Sequence, residues 1–246
     1  MKITLLCENT SSDIPWCAEW GFSAHIEVEG VRILFDFGYS DIYVRNARQA
    51  GIDLNAVDFF ALSHNHDDHT RGLLFYEGTE RKPLIAHPRV LEVLPEAESS
   101  VLKRCFDVRP SAGPREFTPN VFFLGAIPRQ TTFEAGTYGD DPMPDDTALA
   151  IRTPQGTVVI AGCSHAGICN ICDHAKRVTG QNLYAVLGGF HLLKATPDTL
   201  DPTLRYFQRE RPTHLFPLHC VDFPALVQFH TILGCAKRSA GDVIEV

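Results

Sequence analysis

The sequence predicts a layered α/β fold, on three observations. Its opening reads as consecutive strands, and its second half alternates apolar strand-like runs with helical ones. Several of the apolar runs also end in glycine and histidine, so sheet ends rather than loops far from the core carry the reactive side chains.

Taken in order, Met1 to Cys7, Ala24 to Glu29 and Val31 to Phe35 read as strands, the last two joined by a tight turn at Glu29-Gly30. After Asp36-Phe37-Gly38, Ile42 to Ala50 has a helical pattern, with Ser40 or Asp41 as cap and Gly51 as stop. Asp58 to Ser63 is the next strand, Thr70 to Tyr76 a short helix, and Pro83 to Ala86 another strand. From Arg89 to Arg104 leucines and valines alternate with glutamates in one helix. Asn120 to Ala126 and Thr147 to Arg152 are strands around residues 131–146, a stretch rich in Gly, Pro and Asp with no apolar period. Such a stretch buries little surface and is a candidate lid. Three strand-then-helix pairs follow: Thr157–Ala161 with Gly167–Val178, Leu183–Leu187 with Leu200–Arg209, and His214–Leu218 with Phe223–Leu233. No repeat or low-complexity tract divides the chain, so 1–246 is expected to be one domain.

The balance of charges excludes some functions. A formal net charge of −8 argues against a broad nucleic-acid footprint, which needs clustered cations to displace counterions. No apolar run is long enough to span a bilayer, and the first residues lack the apolar core of an export signal. The eight cysteines are then expected to be free thiols in the cytoplasm. Cys169-Asn170-Ile171-Cys172 has C-x-x-C spacing but lies within a predicted helix and has no second pair, so it reads as structural.

The chemistry concentrates at His64-Asn65-His66-Asp67-Asp68-His69, which follows the apolar run Asp58 to Ser63. His64 and His66, two apart, can face one point, while Asp68 and His69 lie beyond the bend and can serve a second. Imidazole with carboxylate suits zinc, and also iron or manganese. Later runs end similarly: Val158 to Ala161 empties into Gly162-Cys163-Ser164-His165-Ala166-Gly167, Ala185 to Leu187 into Gly188-Gly189-Phe190-His191, and Leu215 to Leu218 into His219-Cys220. His25, His87, His174, His214 and His230 lack this context and read as structural or surface residues.

His64, His66, Asp68 and His69 match the signature of the metallo-β-lactamase-fold superfamily. The resemblance implies an αββα sandwich with a mono- or dinuclear metal site, its later ligands at the ends of later core strands. It assigns His64, His66 and His165 to one ion, and Asp68, His69 and His219 to the other, with zinc expected and iron or manganese as alternatives. Cys163 stands where many relatives place a bridging acid after a glycine, so either it or Ser164 is expected to approach the metals.

Further matches at Cys7-Glu8-Asn9, residues 19–23, Leu34 to Gly38, Ile127-Pro128-Arg129, Asp145-Asp146, residues 162–170, residues 188–192 and His219-Cys220 resemble the branch that includes the 7,8-dihydropterin-6-methyl-4-(β-D-ribofuranosyl)aminobenzene-5′-phosphate synthases. The chain departs from that branch at Phe37, Asn65, Arg71 and Val221-Asp222. A metal-dependent hydrolase of a small phosphate ester, phosphodiester or other ester is therefore expected. The alternatives are a dihydropterin-condensing transferase and a non-catalytic metabolite-binding protein. Asp68 and His191 are the expected catalytic groups. Arg129, Phe133 and Tyr138 are the expected contacts to a small anionic substrate, and Trp16, Trp20 and Phe37 offer further rings near loops. A homo-oligomer is compatible with these expectations.

Overall fold

The computed structural model describes residues 1–134 and 136–246. Ala135, within the expected lid, lies outside the described residues. The elements are β1 (Lys2–Cys7), β2 (Ser23–Val28), β3 (Val31–Phe35), α1 (Ile42–Gln49), β4 (Phe59–Ala61), α2 (Asp67–Thr70), β5 (Lys82–Ala86), α3 (Pro88–Val93), α4 (Glu96–Cys105), β6 (Phe106–Pro110), β7 (Arg115–Thr118), β8 (Val121–Phe123), β9 (Ala148–Thr153), β10 (Gly156–Ala161), α5 (Ile168–Thr179), β11 (Leu183–Gly189), α6 (Pro197–Glu210), β12 (His214–Leu218), α7 (Phe223–Leu233) and β13 (Val243–Glu245). They form two compact units, Met1–Ser111 with Arg238–Val246, and Ala112–Lys237.

The first unit holds a seven-stranded sheet in the order β13-β1-β2-β3-β4-β5-β6. Its first half is antiparallel, and β3 to β6 run parallel. Alternate residues of its strands are apolar on both faces, as a sheet covered on both sides requires: Leu34 and Phe60 join the helices in one cluster, while Ile33 and Phe35 are buried on the other side. Phe37, expected near a loop, is instead a core residue. It stacks on Phe60 at 5.8 Å and meets Tyr43, Tyr76 and Phe106 edge-on, a packing worth about 0.5–1.5 kcal/mol per ring pair beyond area burial.

The second unit holds a six-stranded sheet, β12-β11-β10-β9-β8-β7, parallel from β12 to β10 and antiparallel thereafter. Helix α5 packs on β9, β10 and β11. Phe190 stacks on Phe207 and meets Phe229 edge-on, with the three ring centroids 5.6–6.1 Å apart, and so pins the end of β11 to α6 and α7. These two mixed sheets with their helices are the expected α/β class.

Some elements differ from the sequence reading. The single helix over 89–104 is two, α3 and α4, because Pro95 supplies no N–H and drives Leu94 into extended backbone (ψ 136°). The turn behind the histidine motif is α2 followed by a 3₁₀ segment, Arg71–Phe75. Strands β6, β7 and β13 were not foreseen; β6 and β7 are short, polar edge strands whose alternation is weak. Among the described residues no helix is long and apolar enough to cross a membrane.

Candidate functional site

In the first unit the parallel register Phe35↔Ala61 sets the ends of β3 and β4 side by side. Asp36, one residue beyond β3, then faces Ser63, two beyond β4. Its Oδ1 accepts the Ser63 N–H at 2.7 Å and its Oδ2 accepts the Ser63 hydroxyl at 2.6 Å. Asp36 Oδ2 is also 2.7 Å from His69 Nδ1, and Ser63 Oγ is 2.8 Å from His64 Nδ1. A carboxylate only accepts, so His69 carries its proton on Nδ1. The single hydroxyl proton of Ser63 goes to Asp36, so Ser63 accepts from His64 Nδ1–H. Both imidazoles are thereby held in the tautomer whose Nε2 offers a lone pair to a metal.

The rings of His64 and His69 are centred 4.2 Å apart, and those of His64 and His66 4.7 Å. Asp68 Oδ2 lies 3.8 Å from His69 Nε2. His64 and His69 are fully buried, Asp68 is buried and His66 half-buried. Clustered imidazoles with one carboxylate, the tautomers of His64 and His69 fixed from behind, form a donor set that fits a borderline divalent ion. Asp67 and Asp68 sit in the first turn of α2, where the helix dipole favours their charge. Asp36 and Ser63 were not among the expected site residues. In the sequence each closes an apolar run, and Asp36 also lies within the family match Leu34 to Gly38.

In the second unit the register Ala161↔Gly188 and Gly189↔Leu218 aligns the ends of β10, β11 and β12. His165, His191 and His219 follow those ends, and the His165 and His191 rings are 4.3 Å apart. Cys220 ties the three ends together. Its Sγ donates to the Cys163 carbonyl at 3.1 Å and accepts the His191 backbone N–H at 3.2 Å. Burial works against charge on both His191 and Cys220, yet each favours the other's ion, so the imidazole pKa is raised and the thiol's lowered. The Ser164 hydroxyl donates to the Gly189 carbonyl at the end of β11. The backbone of Ser164 (φ 63°), His191 (φ 52°) and His219 (φ 49°) is left-handed, as is that of Asp36 (φ 59°) in the first unit.

Asp146, fully buried, accepts the Ala166 N–H at 2.8 Å. Burial raises its pKa to about 7 against the pull of the Ala166 and His165 N–H groups. Its second oxygen has no hydrogen-bond partner among the described residues.

The 131–146 stretch is better held than its composition implies. Glu134 accepts the N–H groups of Cys169 and Asn170 at 2.8 and 3.2 Å, at the start of α5, together with the Thr131 hydroxyl. Met143, Asp145 and Asp146 are buried as well, which corrects the expectation of little burial. Arg129 donates to the carbonyls of Gly136 and Pro142 and so braces the loop. Phe133 packs against the α5–α6–α7 core, whereas Tyr138, in a turn closed by Asp141, is 68% exposed. Gly136 lies so close to His165 that an added Cβ would stand 2.2 Å from its carbonyl oxygen. The loop therefore runs directly beside one of the expected ligands. Cys169 and Cys172 are buried in α5, burial raising both thiol pKa values, in keeping with a structural role. His174 bonds the Leu124 carbonyl and His87 caps α3, as structural histidines do.

Residues 22–197 match the family described as the metallo-beta-lactamase superfamily. The chain belongs to that superfamily. Within it, the chain is 30% identical to the 7,8-dihydropterin-6-methyl-4-(beta-D-ribofuranosyl)-aminobenzene-5'-phosphate synthase of Methanocaldococcus jannaschii, over 92% of this chain and 89% of that one. An uncharacterized protein of the same organism is 28% identical over 99% of this chain and all of its own length. The crystal structure of a metal-dependent hydrolase of the beta-lactamase superfamily superposes with a TM-score of 0.85 at 29% identity, covering 100% of this chain and 99% of that one. A diphosphatase from the PhnP family shares the fold at 17% identity, with a TM-score of 0.64 over 100% and 97% of the two chains. The superfamily assignment made from His64, His66, Asp68 and His69 is thus the family of the whole chain.

Proposed function

We propose that the protein is a metal-dependent hydrolase of a small anionic ester, with His64, His66 and His165 holding one divalent ion and Asp68, His69 and His219 a second, zinc being the expected metal. The observation that carries this reading is the relay from Asp36 through Ser63, which locks His64 and His69 as Nε2 donors. Such a relay has little purpose for a merely structural histidine pair. The membership in the superfamily and the hydrolase named among the similar structures support it. Bound ions would supply Lewis-acid polarisation of the ester and a water acidified toward neutral pH.

The chain's own groups do the rest. Asp36 and Ser63 hold two imidazoles in register. His191, its proton favoured by the Cys220 sulfur and the Asp146 carboxylate, gives a proton to the leaving oxygen. Arg129 acts through the loop it braces, and Tyr138 at the exposed tip covers the substrate. Purified protein is expected to contain one to two equivalents of metal, and His66→Ala and Asp68→Ala to lose metal together with turnover of bis(p-nitrophenyl) phosphate or p-nitrophenyl acetate. Metal-free protein with undiminished turnover would sink the reading.

The relative named as a synthase supports a second reading, condensation of a dihydropterin with an aryl partner. Incubation with both reactants and mass analysis separates the two: a condensed product without ester cleavage favours the transferase.

A further inference from the structure

We infer that Arg71 and Tyr39 form a recognition site for a substrate that carries a flat ring beside its anionic group, so that the substrate class is an aromatic phosphate ester. This deepens the hydrolase reading and rests on it for the chemistry. The Arg71 guanidinium carbon lies 4.5 Å from the centre of the Tyr39 ring, and its Nη1 donates to the Tyr39 hydroxyl. The guanidinium is thus oriented by a ring on one side, while Arg71 is exposed and Tyr39 is 38% exposed. Among the described residues no carboxylate pairs with Arg71, in a chain of net charge −8. An accessible cation seated over a ring and left without a carboxylate partner suits an incoming anion, and its free side can take a second ring.

The placement is beside the histidine motif. Arg71 directly follows α2, which carries Asp68 and His69. The segments of Tyr39 and Arg71 are laced together, Phe37 N–H donating to the His69 carbonyl and Gly72 N–H to the Gly38 carbonyl, both at 2.9 Å. Glu19 then fixes Tyr39 from behind by accepting its N–H at 3.0 Å and that of Ser40 at 2.9 Å. Next to Glu19, Trp20 presents a second ring, 52% exposed. A laced backbone under an exposed pair of side chains that orient each other is what a recognition site needs.

Calorimetric titration of the zinc-loaded protein with phenylphosphonate and methylphosphonate, neither of which can be hydrolysed at the P–C bond by ester chemistry, tests the inference. Native protein is expected to bind the phenyl compound about tenfold more tightly. Arg71→Ala should weaken both by about tenfold, with zinc content and melting temperature unchanged. Arg71→Lys should recover the methyl compound but not the preference for the ring, and Tyr39→Leu should abolish that preference. Equal binding of the two phosphonates by native protein, or unchanged binding by Arg71→Ala, overturns the inference. An absence of ester cleavage with the phosphonate pattern intact would count against the hydrolase reading alone.

Discussion

Asp36 Oδ2 and His69 Nδ1 lie 2.7 Å apart with both side chains fully buried. The pair joins the end of β3 to the helix α2 and sets which nitrogen of His69 faces outward. Asp36→Asn keeps a side chain that tolerates the left-handed backbone at this position but removes the charge. It is expected to weaken metal affinity by about 10- to 100-fold, measured by competition with a chromophoric chelator. Affinity within twofold of native would mean that the relay does not tune the ligands.

Ser63→Ala should act on two histidines at once. The hydroxyl is the acceptor for His64 Nδ1–H and a donor to Asp36. A smaller loss than for Asp36→Asn is expected, since the Ser63 backbone N–H still holds the carboxylate. Combined in one chain, the two substitutions should cost less than the sum of their separate effects, because they cut the same relay.

Gly136→Ala tests whether the 131–146 loop supports the site. The added methyl would meet the His165 carbonyl at 2.2 Å, a separation that forces the backbone of one or the other to move. Metal retention during dialysis against chelator should fall by about tenfold or more. Gly113→Ala, where nothing lies within 4 Å of the new methyl, is the control and should leave retention as it is.

Phe133 and Tyr138, expected alike from the sequence, should separate in experiment. Phe133 packs against the core of its unit, so Phe133→Ala should lower stability by about 1–3 kcal/mol in urea unfolding. Tyr138, largely exposed, should leave stability within about 0.5 kcal/mol when replaced by Ala, and raise KM. If Tyr138→Ala leaves KM untouched, the loop tip does not reach the substrate.

His25 provides a pH-dependent term remote from the histidine motif. It is buried in β2, and neither ring nitrogen has a hydrogen-bond partner among the described residues. Burial lowers its pKa below the ordinary 6.5, with Lys2 and Arg32 adding to the effect and Glu27 opposing it. The unfolded chain therefore binds this proton first as pH falls. Stability is full above 6.5 and is lost as pH drops through the interval down to the lowered folded value. In the variant His25→Leu this loss should vanish, so the difference in urea midpoint between variant and native should grow in the variant's favour from pH 7.5 to pH 5. A difference that stays constant across that range would contradict the assignment.

Much of the fold was legible because β1, β3, β5, β10 and β12 are apolar runs bounded by turn residues, and α1, α5 and α6 keep clear helical periods. What escaped has physical causes. Pro95 divides a helix whose hydrophobic rhythm continues across the break, and rhythm alone does not register a missing N–H. Phe37 follows a strand end, where a ring reads as loop, yet the backbone returns it to the core beside Phe60. The histidines of the first motif were legible from spacing because they lie within six residues of one another. Asp36 was not, since its partner His69 is 33 positions away and only the pairing of β3 with β4 brings them together. Likewise the bracing of the loop by Arg129 and Glu134 depends on carbonyls and helix N–H groups that no side-chain pattern reveals.

Asp36, Ser164, His191 and His219 stand in left-handed backbone at the carboxyl ends of β3, β10, β11 and β12. For residues with a Cβ this conformation costs on the order of 1–2 kcal/mol each, least for Asp. At Asp36 and Ser164 glycine would relieve that cost only by stripping buried hydrogen bonds, so a library screened for heat resistance should be enriched in glycine at His191 and His219 and not at the other two. The survivors of such a screen are expected to be sturdier proteins with disabled chemistry. Heat tolerance and activity are therefore expected to part company at these two codons sooner than anywhere in the helices, and an engineer seeking both would leave them untouched.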